Sequence, residues 1–371
     1  MNKNLRKRLN RIVIAGMMVT SSMMPVFAET INVTSKPSYT HKQFIGKTRY
    51  ETGVLTAKEA NKKNIIVVNG ATEKMVDGLC ASALVDKFDA TVLPIDPKKV
   101  NSEAKKIIDN AENVYVIGLE SAIPESFVKT IPSSVKVTRI GGKDRFETSK
   151  EIAKYLGSYD KAFLVNGVTG QADAMSMASV SAKYKAPILL TKKSSTIFDK
   201  KENIKYFVIG GTNAISDSLE AKFSANRIAG ATRYETNRQV LKTFYSKSTT
   251  RYFTNGETLI DALSGASLSK YNGITFVSKK KNLDLLKNMD TIQIGGLPFK
   301  LEFTDKEDTN KPDNDVEKPE NNKPSKPNDD SNKDDDVIDE GIFDGVVDHN
   351  GEENEEINGE MSDDDTQVGI M

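Results

Sequence analysis

Three arginines stand in one repeated setting. The chain reads FIGKTRYETG at Phe44–Gly53, RIGGKDRFETS at Arg139–Ser149 and RIAGATRYETN at Arg227–Asn237, which places Arg49, Arg145 and Arg233 96 and 88 residues apart. Thr48-x-x-Glu51, Asp144-x-x-Glu147 and Thr232-x-x-Glu235 each read as a capping box. In that motif the cap oxygen accepts from a first-turn N–H and the glutamate reaches back to the cap's own N–H. The glutamate then has a structural task. The arginine falls at the first helical position, where the positive end of the helix dipole disfavours a cation by about 0.3–1 kcal/mol. Keeping it there three times requires a compensating partner. Two readings stand: an internal pair with Asp77, Asp173 and Asp261, or capture of an anionic ligand group beside the free N–H groups of a helix N-terminus. Arg139 and Arg227 open two of the three motifs, and the first has Gln43 in their place.

Other chemistry is thin. The only histidines are His41 and His349, outside the repeats, and the only cysteine is Cys80, in the small-residue run LCASAL. This leaves no His-based triad, no Cys/His metal cluster and no disulfide framework, and neither metal nor cofactor is expected. A hydrolase needs two carboxylates at a suitable separation or an activated nucleophile. Asp77, Asp173 and Asp261 come once per unit with no second acid at a constant offset. The glycines before the motif (Gly46, Gly141-Gly142, Gly230) and the Asn-Gly pairs are tight-turn positions. None completes a Walker A loop or a G-x-G-x-x-G fingerprint.

The elements that must hold these residues recur in order. A helical stretch such as Thr148–Leu156 follows the arginine. A buried strand then ends in Asn-Gly: Ile65–Gly70, Ala162–Gly167 and Arg251–Gly256. A small-residue helix opens at Asp77, Asp173 and Asp261, and its Ala/Ser/Gly face suits close packing at a threefold centre. Further strands follow at Thr91–Ile95, Pro187–Thr191 and Ile274–Ser278. The closing strands run into glycine at Val114–Leu119, Tyr206–Gly211 and Thr291–Gly296. Short apolar strands alternating with helices predict parallel sheets covered on both faces. The first two units continue alike past that glycine, Ala122-Ile123-Pro124 matching Ala214-Ile215-Ser216, whereas the third ends in LPFKLEF. Units of this size are small for isolated domains and are expected to share buried surface.

A formal net charge of zero hides two halves. Residues 305–371 carry 24 acidic and 6 basic side chains, and residues 29–304 carry 41 basic and 28 acidic. A basic body favours an anionic partner: nucleic acid, acidic lipid or acidic polysaccharide. Residues 1–28 have a basic start (Lys3, Arg6, Lys7, Arg8, Arg11), a short apolar run and a Val26-Phe27-Ala28 cleavage pattern, the marks of a secretory signal peptide. Export directs the choice away from nucleic acid, and no later apolar stretch is long enough to cross a bilayer. An exported chain without disulfides fits a Gram-positive surface. The acidic segment 305–371 has too few apolar residues to build a core and is expected to be disordered. It shows no Leu-Pro-x-Thr-Gly sorting signal.

Taken in order, Arg-Ile-Gly-Gly-x-x-Arg-x-Glu-Thr, Val-Asn-Gly, Asp-Ala-x-Ser, Pro-Ile-Leu-Leu-Thr and Val-x-Ile-Gly-Gly, in three tandem copies behind a signal peptide, resemble the type 2 cell-wall-binding repeats of clostridial surface and S-layer-associated proteins. The resemblance covers about Phe44 to Phe303. It implies an α/β fold of three small parallel-sheet, Rossmann/Toprim-like units packed as a pseudo-threefold trimer. The units are repeat 1 at 44–138, repeat 2 at 139–226 and repeat 3 at 227–303. It implies noncovalent anchoring to an anionic cell-wall polysaccharide or teichoic-acid-like polymer, with S-layer proteins as further partners. The anchoring motif is intact at Pro187, Ile188, Leu189 and Leu190. Repeat 1 has Leu93-Pro94-Ile95 there and repeat 3 has Thr275-Phe276-Val277, which predicts weaker or unequal binding by those units. The alternatives are a wall-polymer-modifying enzyme and an adhesive surface protein acting through its acidic tail.

Overall fold

A computed structural model describes residues 29–36, 38–71 and 75–304. The signal-peptide and acidic-tail expectations lie outside these residues. In chain order the strands are β1 (Thr30–Thr34) and β2 (His41–Phe44); β3 (Asn64–Asn69), β4 (Ala90–Ile95), β5 (Asn113–Ile117) and β6 (Lys136–Ile140); β7 (Lys161–Asn166), β8 (Ile188–Thr191), β9 (Lys205–Ile209) and β10 (Asn226–Ile228); and β11 (Thr250–Asn255), β12 (Ile274–Val277), β13 (Asp290–Ile294) and β14 (Lys300–Thr304). They form three parallel four-stranded sheets, ordered β4-β3-β5-β6, β8-β7-β9-β10 and β12-β11-β13-β2. The α/β class, the three repeats and the parallel pairing agree with the sequence.

The fourth strand of each sheet was not anticipated. It is the residue run leading into an arginine motif: Lys136–Ile140 closes the first sheet and Asn226–Ile228 the second. The third sheet takes β2 from the opposite end of the chain, with Ile292 beside Lys42 and Ile294 beside Phe44. The N-terminal segment therefore closes the ring of repeats. Each sheet hands its edge directly to the motif helix of the next repeat.

One core unites the three units. Inward-facing Ile66, Val68, Phe163, Val165 and Phe276 join the small-residue helices, with Leu79, Cys80, Ala83, Ala174, Met177, Val180, Ala262 and Leu263 fully buried. Small side chains let these helices approach closely. Ser179 and Ser269 hydroxyls meet at 2.6 Å, and Thr91 and Ser267 at 2.9 Å. The helices differ in detail from expectation. Met75–Ala83 is a 3-10 helix continued by Leu84–Lys87, and the other two are broken in the middle, as Gln171–Ser176 with Ala178–Tyr184 and Ile260–Ser264 with Ala266–Ser269. They open one or two residues before the aspartates, which lie within their first turns.

The outer faces are covered differently. Helices Ser102–Asp109 and Glu125–Val128 cover the first sheet through Ala104, Ile108 and Phe127, and Phe198, Leu219 and Phe223 cover the second. Over the third sheet the parallel pair β1–β14 joins the short 3-10 helix Leu283–Leu286, with Val33, Leu286, Phe299 and Phe303 packing toward Phe253. The LPFKLEF segment is thus the lid of a terminal unit. No helix among the described residues is long and apolar enough to cross a membrane.

Candidate functional site at the repeat seams

The motif helices run Arg49–Ala60, Arg145–Leu156 and Arg233–Phe244, with N-caps Thr48, Asp144 and Thr232 whose side chains accept from the N–H of Glu51, Glu147 and Glu235. The arginines occupy the first helical position, as the spacing predicts. The glutamates reach one residue further back than expected. They accept from the N–H of Lys47, Lys143 and Ala231, the residues before each cap. The threonine after each glutamate accepts from Gly46, Gly142 or Gly230, at 3.1 Å in all three. These contacts fold the glycine turn onto the helix start.

Each motif arginine donates to the carbonyl of its own repeat's Asn-Gly turn: Arg49 to Gly70 at 3.0 Å, Arg145 to Gly167 at 2.7 Å and Arg233 to Gly256 at 3.2 Å. A carbonyl dipole thus offsets the poor position of the cation at a helix N-terminus. The expected aspartates come from the preceding repeat. Asp173 lies in the field of Arg233, and Asp261 in that of Arg49. Arg233 forms its ion pair elsewhere, with Glu257 at 3.0 Å. At the first seam Asp77 accepts a 2.9 Å hydrogen bond from Thr148 of the second repeat.

Between the second and third repeats these groups line an open cleft of about 410 Å³. Asp173 and Gly210–Ala214 line it from the second repeat, and Gly230–Arg233 with Thr236 from the third. The seams share this plan. The carboxylates of Asp77, Asp173 and Asp261 press on Gly118, Gly210 and Gly295, whose φ values of +95°, +106° and +78° suit glycine. Burial pushes Asp173 up to about 6 and Asp261 up to about 7, against the opposing pull of Arg233 and of Arg49 and Thr258 respectively. Asp261 is only 5 % exposed, and its Oδ1 has no hydrogen-bond partner among the described residues.

The remaining sequence-selected residues do not line the cleft between repeats 2 and 3. Arg139 donates to the carbonyls of Gly118 and Ile123 and pairs with Glu125 at 3.0 Å. Arg227 donates to Gly210 and pairs with Glu220 and Asp217. Both tie the helix after the closing glycine to its sheet. Repeat 3 lacks that helix among the described residues, its matching position is Gln43, and Gln293 serves the Gly295 carbonyl at 2.8 Å. Pro187, Ile188, Leu189 and Leu190 are buried. Leu190 and Phe146 pack against Gly167, whose carbonyl holds Arg145.

Sequence reasoning missed a coupling across the edge strands. Ser149 bridges the Ile188 carbonyl and the Leu190 N–H, and Asn237 does the same for Ile274 and Phe276. In repeat 1 the matching pair is Gly53 and Pro94. Proline has no N–H to satisfy, and a Cβ on Gly53 would stand 2.6 Å from its ring. A proline facing a glycine two motifs away was the available signal.

A family profile, Cell wall binding domain 2 (CWB2), matches residues 44–128, 139–220 and 227–297. The chain is 34 % identical over 248 residues to an amidase enhancer of Bacillus subtilis (strain 168), covering 64 % of this chain and 34 % of that protein. It is 28 % identical over 266 residues to N-acetylmuramoyl-L-alanine amidase LytC of the same organism, covering 68 % and 51 %. The chain thus spans a third to a half of these relatives' length. Among solved structures, Cwp8 from Clostridium difficile superposes with a TM-score of 0.62 at 27 % identity over 70 % of this chain and 50 % of that one. Cwp6 from the same organism gives 0.61 at 26 % over 76 % and 48 %. Three motif helices, three sheets and three profile matches coincide, and the chain belongs to the Cell wall binding domain 2 family.

Proposed function

We propose that this chain is a noncovalent cell-wall anchor that holds an anionic wall polymer in the clefts between its repeats. The observation that carries the reading is the cleft between repeats 2 and 3, lined by an arginine at a helix N-terminus, the Gly210–Ala214 loop and a buried carboxyl group. The family supports wall anchoring, and the excess of basic residues in 29–304 supports an anionic polysaccharide or teichoic-acid-like partner. Sites repeated on one rigid body gain by effective concentration on a repeating polymer, so weak clefts suffice. Export through residues 1–28 and contact with S-layer proteins belong to the same proposal. The buried Pro187–Leu190 strand serves binding by holding the turn that positions Arg145. As a binding module the chain needs no catalytic residue.

Co-sedimentation of the chain from Glu29 onward with Gram-positive walls tests this, before and after acid extraction of phosphodiester-linked polymer, over a salt series. Binding should require the polymer and weaken with salt, as for exposed charges. Replacing Arg49, Arg145 and Arg233 together by Gln should abolish it. Equal binding to stripped walls overturns the reading.

A further inference from the structure

The seams share a backbone plan but not a charge. After each Asn-Gly pair the chain turns on the asparagine side chain, which accepts from the N–H of Ala71, Val168 or Glu257 at 2.8–3.0 Å. These three residues therefore occupy one equivalent place. In repeat 3 it holds an acid. Glu257 Oε2 lies 3.0 Å from Arg233 Nη1, and its Oε1 accepts from the Tyr234 hydroxyl at 2.6 Å. The tyrosine fixes the carboxylate against the guanidinium. In repeat 2 the same two places hold Val168 and Phe146, which offer neither carboxylate nor hydroxyl. Arg145 keeps its bond to the Gly167 carbonyl and makes no ion pair among the described residues. Val168 beside it is 57 % exposed.

Resting on the anchor reading above, we infer that Glu257 is a built-in counter-anion that lowers the affinity of the Arg233 cleft for anionic polymer, so that the polymer is held more tightly by Arg145 at the first seam. A guanidinium recognises an oxyanion through paired N–H donors. On Arg233 one such donor, Nη1, is divided between the Gly256 carbonyl and Glu257. An incoming phosphate or carboxylate must displace Glu257 or sit against its charge. Both side chains are well exposed, at 40 % and 60 %, so the competition is graded rather than absolute. Beside Arg145 the places of Glu257 and Tyr234 are taken by Val168 and Phe146, whose apolar surface suits an anionic group carried on the less polar face of a sugar ring.

The test measures binding of the whole exported chain to inorganic polyphosphate and to intact walls at fixed ionic strength. Glu257→Gln should tighten binding about three- to tenfold, since an exposed ion pair is a modest barrier. Val168→Glu combined with Phe146→Tyr should weaken it by a similar factor. Arg145→Gln should cost more than Arg233→Gln. Glu257 is exposed and its side-chain bonds to Arg233 and Tyr234 lie at the surface, so its variant folds and decides the matter by itself. Unchanged or weaker binding by Glu257→Gln, with wild type binding in a salt-dependent way, overturns this inference and leaves the anchor reading standing. Failure of wild type to bind either probe overturns both.

Discussion

Thr148 donates its hydroxyl to Asp77 Oδ1 at 2.9 Å across the seam between the first two repeats, and Thr148 Oγ1 itself accepts from the Gly142 N–H. One fully buried hydroxyl thus joins a motif helix, its glycine turn and the neighbouring repeat's carboxylate. Thr148→Val keeps the shape and removes both bonds. Buried groups left without partners cost about 1–3 kcal/mol each. Urea unfolding should show a loss of about 2–4 kcal/mol for Thr148→Val and a much smaller one for Thr148→Ser. Equal losses would show that packing, not the seam hydrogen bond, is what matters there.

Arg139 gives the opposite kind of prediction to the motif arginines. Its guanidinium is spent on two carbonyls and Glu125, all in its own sheet's closing segment. Arg139→Gln should lower stability by about 1–3 kcal/mol, the cost of charge-assisted bonds lost to partly buried partners. The salt dependence of wall binding should be unchanged. A changed salt slope with an unaltered melting curve would move Arg139 into the ligand site.

The repeat grammar was legible because periodicity, caps and turn residues are local signals. The arginine positions, the strands into Asn-Gly and the small-residue centre all follow from residue types at fixed spacing. The pairing of β2 with β13 was not legible, since strands 250 residues apart in sequence leave no local mark of their partnership. Nor was the fourth strand at Lys136–Ile140, because Arg139 and the two glycines disguise an edge strand as a loop. The Arg-to-Asp relation was half visible. Asp173 and Asp261 lie in the fields of Arg233 and Arg49 from the adjacent repeats, and the ion pair of Arg233 is with Glu257.

The buried aspartates make stability depend on pH. Asp173 and Asp261 hold their protons up to about 6 and about 7 because burial penalises the charged form. Below about pH 4 both folded and unfolded chains are protonated at these sites, and no penalty arises. As pH climbs from there, the unfolded chain releases protons that the folded chain keeps, so stability falls until pH passes the folded values. Asp261→Asn should remove much of that fall. It should gain ~2–4 kcal/mol over wild type at pH 8 and little at about pH 3, by the ~1.4 kcal/mol equivalence per pKa unit. Urea unfolding between these pH values measures it. A variant less stable at pH 8 would mean that the charged carboxylate is required, with Arg49 as its counter-charge.

The Gly53–Pro94 and Ser149–Leu190 pairs are two solutions to one problem, the unpaired N–H at the edge of each sheet. Repeat 2 satisfies it with a hydroxyl, and repeat 1 removes it with proline. The sequence departure at Leu93-Pro94-Ile95 therefore has a local structural cause and need not signal a weakened binding unit. A double-mutant cycle tests this. Ser149→Gly alone strips a buried N–H and a carbonyl of their partner and should cost about 1–3 kcal/mol. Leu190→Pro alone drives the ring toward the Ser149 side chain and should cost about 3 kcal/mol or more. Together they recreate the repeat 1 arrangement, and the pair should be less damaging than the sum by at least about 1 kcal/mol. Strict additivity would mean that the first repeat tolerates Pro94 for some other reason, and the departure there would again be open to a functional explanation.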